Sequence, residues 1–234
     1  YVSFANKIGN NQLDASFKET DDKDILGQSL ISMQKNLVEA DKNARERKNE
    51  EEKQKWMTEG VAYFGDILRQ QQNSMADHGF IVISKLVDFL DVCQGGLFVV
   101  SDTEDKIDLL ASFAYGRKKF SQKSFEIGEG LIGACVVEKE TIYLTNIPDD
   151  FPEITSGLGG TQPRFVLMVP LKIDKLVLGV VELISLNEFK PHEISFVEKI
   201  SENIASSINS SLVANKTKRL LDEAKVRSEQ LVTQ

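Results

Sequence analysis

The sequence predicts an α+β fold, a central antiparallel sheet with flanking helices, set between long helices at both ends of the chain. Three observations predict it. Two runs rich in branched residues, Phe165–Ile173 and Leu176–Ser185, are separated by Asp174-Lys175, the pattern of a β-hairpin with a short polar turn. Both runs are almost continuously apolar, so each strand is expected to be covered on both faces, one by helices and the other by a closed cavity or loop. Gly128, Gly130 and Gly133 bracket the start of an apolar segment, residues 131–139, where the backbone is expected to turn tightly out of a strand and open a closely packed helix. Finally, apolar residues recur at heptad spacing near the N-terminus and again near the C-terminus, as in long helices that need partners.

The totals bound the possibilities. At 234 residues and 41% hydrophobic content, the chain can bury one good core and carry extended helices besides. A net charge of −8 argues against nucleic acid, and against an anionic lipid surface, as the main partner. Cys93 and Cys135 lie in apolar company at an unrelated spacing, so two reduced, buried thiols are expected rather than a disulfide framework. No apolar run reaches the ~18 residues a membrane span needs, and no signal peptide is visible. The profile is cytoplasmic, with no direct membrane insertion expected. The chain opens at Tyr1 in a helical-looking segment and is expected to be a piece of a longer protein.

In chain order, a connector over residues 13–24, with Asp and Thr suited to capping, precedes a helix. That helix carries Leu26, Leu30, Met33, Leu37, Ala40 and Ala44 at spacings of 4, 3, 4, 3, 4 along one stripe. The same register continues through Arg47, Glu51, Gln54 and Thr58 to Val61, Gly65 and Leu68, so the seam turns polar in its middle. Residues 41–55 are dense in both charge signs, with Lys48/Glu52 and Glu51/Lys55 four apart, as expected of a solvated helical linker. A polar seam weakens a coiled coil but helps fix its register. A plain charged helix with no signalling task has the same composition.

Residues 56–72 and 79–92 are expected to be the first two helices of the globular domain, the second presenting Ile81, Ile83, Leu86, Val87 and Leu90 on one face. After Gly95-Gly96, strands over 97–100 and 107–115 flank an acidic turn and make a first hairpin. Arg117-Lys118-Lys119 near the sheet edge read as a solvated turn ahead of an anion contact. The Pro, Asp and Gly-rich stretch 148–163 is too long for a mere connector and is expected to form a lid over a pocket. The last helix begins at Pro191, a residue favoured there, and carries Phe196, Val197, Ile200, Ile204, Ile208 and Leu212. Leu220, Ala224, Arg227 and Leu231 then keep a 4, 3, 4 spacing, so the helix is expected to leave the domain as another coiled coil.

Gly128-Glu129-Gly130-Leu131-Ile132-Gly133, followed by Val169-Pro170-Leu171, by Gly179-Val180-Val181-Glu182-Leu183, and by Phe189 and Glu193 opening a helix, resemble the GAF domain family over residues 56–212. The resemblance implies a central antiparallel sheet, helices on one face and a small-molecule pocket on the other; ligands differ across that family, so it names no cofactor. The run from Leu13-Asp14 through Asp24-Ile25-Leu26-Gly27 to Leu30, Met33 and Leu37 resembles the second half of a HAMP domain. That family's acidic-Ile-Gly signature is disturbed here by Leu26, and its first helix is mostly absent. An ordinary amphipathic helix fits the same spacing. The resulting division is a HAMP-like C-terminal half over 1–37, a signalling-helix linker over 38–55, a GAF domain over 56–212 and an output coiled coil over 213–234.

Catalytic patterns are weak. His192-Glu193-Ile194 superficially resembles the phosphoacceptor box of a sensor kinase, but the Pro expected shortly after it is missing and His192 falls at a helix start. His78 reads as a helix-start residue. Two His and two Cys at unrelated spacings do not make a zinc site, so no metal is expected. Neither a nucleophile elbow nor a phosphate-cradling loop occurs. A few GAF proteins resemble a reductase that uses cysteines on free methionine sulfoxide, but Cys135, a turn into its helix beside Val136 and Val137, reads as a structural thiol. The bilin-attaching Cys-His pair is absent, and of a cyclic-nucleotide signature only Phe189 and Glu193 match.

The expected function is therefore non-catalytic: the sensory and relay region of a bacterial membrane-associated signalling protein, with a histidine kinase of a two-component system as the favoured effector in the same parent chain. The chain is expected to act as a parallel homodimer, tethered to the membrane through upstream residues. Its seam is expected at Leu26, Leu30, Met33, Leu37, Val61, Leu68, Leu220, Ala224 and Leu231. Pocket candidates are Phe98, Phe113, Tyr115, Cys135, Tyr143, Phe165, Val181 and Glu182. A carboxylate inside an apolar strand must be paired, solvated or protonated, which singles out Glu182; an exposed edge position fits it equally. A filled core serving only dimerisation and relay, or a Cys135-dependent enzyme, are the other readings.

Overall fold

The structure, a computed structural model, describes all residues except 11, 15, 17–23, 71–73, 102–104, 115, 116, 119–122, 149, 150, 152, 153, 157, 158, 233 and 234, and the side chains of 117, 118, 155, 156, 159, 215, 226 and 228–232. It divides into two compact units, Tyr1–Trp56 and Met57–Gln234.

In the first unit a short helix α1 (Val2–Gly9) buries Phe4 and Ile8, and the long helix α2 (Ile25–Arg69) begins. Asp24 caps α2, its Oδ1 accepting from the Gly27 amide at 2.8 Å. Gln34 donates to the Leu13 carbonyl at 2.7 Å. Most of the connector over 13–24 lies outside the described residues. The charged middle of α2 carries exposed pairs such as Asp41–Arg45 at 2.9 Å and Lys48–Glu52 at 3.9 Å. Each such pair contributes a few tenths of a kcal/mol. The expected separate helix over 56–72 is the end of α2, because nothing between the linker and the domain breaks helical hydrogen bonding.

The second unit holds the rest of α2, helix α3 (Met75–Leu90), and strands β1 (Gln94–Val100), β2 (Lys106–Ala114), β3 (Arg117–Lys118) and β4 (Ser124–Glu126). Helix α4 (Gly130–Glu138) and strands β5 (Ile142–Leu144), β6 (Ile154–Ser156), β7 (Gly159–Thr161), β8 (Phe165–Ile173) and β9 (Leu176–Ser185) follow, and helix α5 (Pro191–Val232) ends it. The main sheet is antiparallel in the order β3-β2-β1-β9-β8-β5, with β4 also on β2, while β6 and β7 pair separately. The β8–β9 hairpin turns at Asp174, whose φ of 52° is the left-handed conformation such a turn requires. The strand expected to start at Leu97 starts at Gln94 and includes both glycines. At Gly95 a Cβ would stand 2.7 Å from Val87 and 2.8 Å from Ile83, so the absent side chain is what lets α3 lie on the sheet.

Both sheet faces are covered. On one, α3 and α5 pack over Leu97, Leu167, Val181 and Leu183; on the other, α4 packs Ile132, Cys135 and Val136 against Phe98, Val166, Met168 and Val180. Where α2 meets α3 and α5, the rings of Phe64, Phe89 and Phe196 lie 5.0–5.8 Å apart.

Ser74 caps α3 by accepting from the Asp77 amide at 3.1 Å. One turn in, His78 Nε2 lies 3.2 Å from Ser207 Oγ of α5, and burial holds the imidazole below its ordinary pKa of 6.5. A histidine whose folded pKa is depressed leaves stability complete above the unfolded value, and stability is lost as pH falls through that value toward the folded one. Urea titrations are therefore expected to show stability dropping from pH 7 to pH 5.5, with a shallower drop in His78→Gln. An unchanged slope in that variant would assign the loss to other groups.

Candidate ligand-binding site

The face of the sheet under α4 is only partly filled by side chains. Between them lies a cavity of about 490 Å³, inside the range of ~300–1,000 Å³ typical of small-molecule sites. Its floor is sheet: Gln94, Gly96 and Phe98 of β1, Leu109 and Ser112 of β2, Met168 of β8, and Glu182 and Ile184 of β9. Leu131 and Ile132 of α4, with Phe125 of β4, form one wall; Leu144, Asn146, Pro148, Phe151 and Ile154 form another.

The α4 wall owes its position to the three glycines. Gly128 and Gly130 adopt φ of 87° and 59°, and a Cβ at Gly133 would stand 2.7 Å from the Gly128 nitrogen and 2.8 Å from the Glu126 carbonyl oxygen. The first two make the turn, and the third lets the helix sit against the strand it has just left. Glu129 closes the turn, its Oε2 accepting from the Glu126 amide at 2.8 Å. The opposite wall comes from the stretch expected to form a lid: Pro148, Phe151 and Ile154 reach the cavity, and part of that stretch lies outside the described residues.

Of the eight side chains expected in the pocket, the structure places Phe98 and Glu182 on the floor. Phe113 borders the cavity, yet its ring packs on Phe80 of α3 at 5.9 Å. Val181 pairs with Leu97 and Val169 on the helix-covered face. Tyr143 stacks on Phe165 at 6.4 Å, and its hydroxyl accepts from the Phe189 amide at 3.2 Å, so this pair serves the start of α5. These corrections share one cause. Successive strand residues face opposite sides, and in strands buried on both faces hydrophobicity does not tell which parity looks into the cavity. Cys135 lies in the apolar cluster beneath α4, outside the described lining, with its Sγ 3.4 Å from the Glu140 carbonyl oxygen. Burial, with Glu138 nearby, pushes its thiol up to about 12, which keeps it protonated. Tyr115 and Lys119 lie outside the described residues, as do the side chains of Arg117 and Lys118.

Gly96, Ser112, Leu109, Phe125 and Met168 escaped the sequence-based expectation. Glu182 was the available signal: once it is taken as cavity-facing, strand register assigns Met168, Gly96 and Ser112 to the same row. Leu109 was hidden by a β-bulge at Leu97/Phe98, which leaves Leu110 unopposed and turned onto Gly79 of α3.

Among the described residues, no cluster of three or more His, Cys, Asp or Glu is arranged to hold a metal, and no helix is long and apolar enough to cross a membrane.

The GAF domain family matches residues 72–209. The chain belongs to that family, a sensory and regulatory fold found in signalling proteins. Among solved structures it is similar to the GAF domain of a phosphoenolpyruvate-protein phosphotransferase from Coxiella burnetii, at 18% identity and a TM-score of 0.56 over 68% of this chain and 96% of that one. The nlh2 GAF domain of A. aeolicus in an inactive state is similar at 17% identity and a TM-score of 0.54, over 68% and 99%. So is the free methionine-R-sulfoxide reductase of Neisseria meningitidis in complex with its substrate, at 15% identity and a TM-score of 0.54, over 68% and 91%. At these identities the likeness is one of fold. No curated protein matches the chain.

Proposed function

We propose that the chain is the sensory and signal-relay region of a bacterial membrane-associated signalling protein, in which the GAF domain binds a small molecule and α5 passes its state to an effector, a histidine kinase being favoured. The observation that carries this reading is the cavity, a half-open and mainly apolar space with a minority of polar groups over a sheet whose other face supports α5. It favours ligand binding over a filled relay module. The raised pKa of Cys135 and its position outside the described lining weigh against a thiol enzyme built on this fold.

The relay would work through a parallel homodimer, with a HAMP-like half at residues 1–37 delivering input and upstream residues tethering it to the membrane. Exposed apolar side chains along both seams support a coiled-coil partner: Leu26, Met33 and Leu37 in the first unit, and Leu220 in the second. Leu30 is half-buried, Val61 and Leu68 are half-buried where α2 enters the domain, Ala224 is exposed, and the side chain of Leu231 lies outside the described residues. A ligand shifts such a relay only by its difference in affinity between two helix packings.

Native mass spectrometry of the purified chain, set against its denatured mass, tests this directly. The expected result is a dimer with excess mass that vanishes on denaturation. A monomer at micromolar concentration would sink the dimer, and a clean dimer would favour relay without a ligand.

A further inference from the structure

We propose that the cavity selects an uncharged molecule with an aromatic ring at one end and a hydrogen-bonding group at the other, the ring lodged against Phe98 and Phe125 and the polar end meeting the side-chain amide of Gln94. The proposal rests on the reading of the cavity as a ligand site and names the chemistry that site accepts.

Strand parity puts Gln94 in the floor. At Gly95 an added Cβ would run into Ile83 and Val87 of α3, so its neighbours on β1, Gln94 and Gly96, face the other way, and Phe98 with them. Gln94 lies opposite Ile184 of β9, itself in the lining, and Gly96 lies opposite Glu182. An amide, a glycine and an aromatic ring therefore follow one another along the floor. The glycine makes room for the ring: the point where a Cβ of Gly96 would stand is 2.9 Å from the Phe98 ring. Phe125 of β4 meets that ring at 5.9 Å and an interplanar angle of 65°, which makes an aromatic corner. A ligand ring can stack on one of the two and turn its edge to the other, the arrangements that aromatic pairs prefer.

Charge decides the rest. Lys123 and Glu182 are the charged residues of the described lining. Lys123 is exposed, where solvent and salt screen it. Glu182 already has an interaction within the protein, as has Ser112 in the same row, so neither is held in reserve for an occupant. An ionic occupant would give up hydration here with no dedicated counter-charge to replace it, and burying a charge that way is costly. Gln94 differs from both. Its side chain is half-buried and makes no hydrogen bond with another described residue, and a carboxamide offers donors and an acceptor without net charge. It can pair with a neutral carbonyl, amide or hydroxyl, while Leu109, Leu131 and Met168 hold the remainder of the molecule by area.

Four compounds built on phenylpropane separate charge from hydrogen bonding: 3-phenylpropionamide, 3-phenylpropylamine, 3-phenylpropionate and propylbenzene, each titrated into the whole chain by calorimetry and followed by thermal shift. The amide is expected to bind tighter than either ion by about ten-fold or more. Gln94→Leu is expected to weaken the amide about five-fold or more while leaving propylbenzene nearly unchanged. Either ion binding as tightly as the amide would overturn the neutral class, and an amide affinity untouched in Q94L would overturn the role of Gln94; both results leave the ligand site standing. If none of the four binds, yet native spectra show retained mass, the chemical class alone falls. If none binds and no mass is retained, the ligand-site reading falls with it. The comparison among compounds on the unaltered chain decides the class even if Q94L does not fold.

Discussion

Replacing Phe64 by alanine is expected to cost about 3–5 kcal/mol of folding stability, the range found when a buried aromatic ring is removed and the void does not close. Phe64 is fully buried, with the rings of Tyr63, Phe89 and Phe196 at 5.4–5.8 Å, so α2, α3 and α5 each contribute to its surroundings. Collapse is restricted by the backbone of α2. Gly60, one turn earlier, admits the rings so closely that a Cβ there would stand 2.6 Å from Phe196 and 2.8 Å from Phe89. Urea denaturation provides the measurement, with Tyr63→Ala as the control. Tyr63 is 44% exposed, and its loss is expected to cost about 1 kcal/mol or less. Similar midpoints for the two variants would show that the aromatic cluster does not bind the three helices as its geometry implies.

Gly179→Ala is the second substitution expected to act strongly. Gly179 lies on β9 opposite Val99 of β1 and Leu171 of β8. A Cβ there would overlap the carbonyl oxygen of Phe98 and stand 3.1 Å from the carbonyl carbon. Neither atom is the free end of a side chain, so relief requires the two central strands to move apart. A loss at or above the upper end of the ~1–3 kcal/mol usual for overpacking is expected, read as reduced soluble yield or a lowered melting temperature. At Gly65 an added Cβ would meet nothing closer than 3.7 Å, the end of the Arg69 side chain. Gly65→Ala is therefore the matched control, and equal behaviour of the two variants would refute the steric argument.

Much of the fold was legible because local signals agreed. The β8–β9 hairpin lies where its two apolar runs and Asp174-Lys175 put it, and α5 opens at Pro191. Other elements have no strong local signal. Strands β4, β5, β6 and β7 are three residues each, too short to show a period, and exist through pairing with distant or neighbouring chain. The start of α3 at Ser74 was missed because the apolar stripe used to locate that helix begins a turn later than its cap. The site was legible in outline only. Glu182 stood out because a carboxylate in an apolar strand calls for a reason, whereas Val181 and Phe113 look inward or outward according to a register that no single strand contains.

The strand order has a consequence for how the cavity can respond to an occupant. β1 and β9 are innermost, each flanked by a partner on both sides, while β3 and β5 are edges. Amides hydrogen-bonded between central strands exchange with solvent largely through global opening, those at edges through local fluctuations. Gly96, Phe98 and Glu182 thus stand on the part of the molecule that yields last. The floor is a template of fixed spacing, and accommodation to occupants of different outline falls to α4 and to the wall made by Leu144, Asn146, Pro148, Phe151 and Ile154.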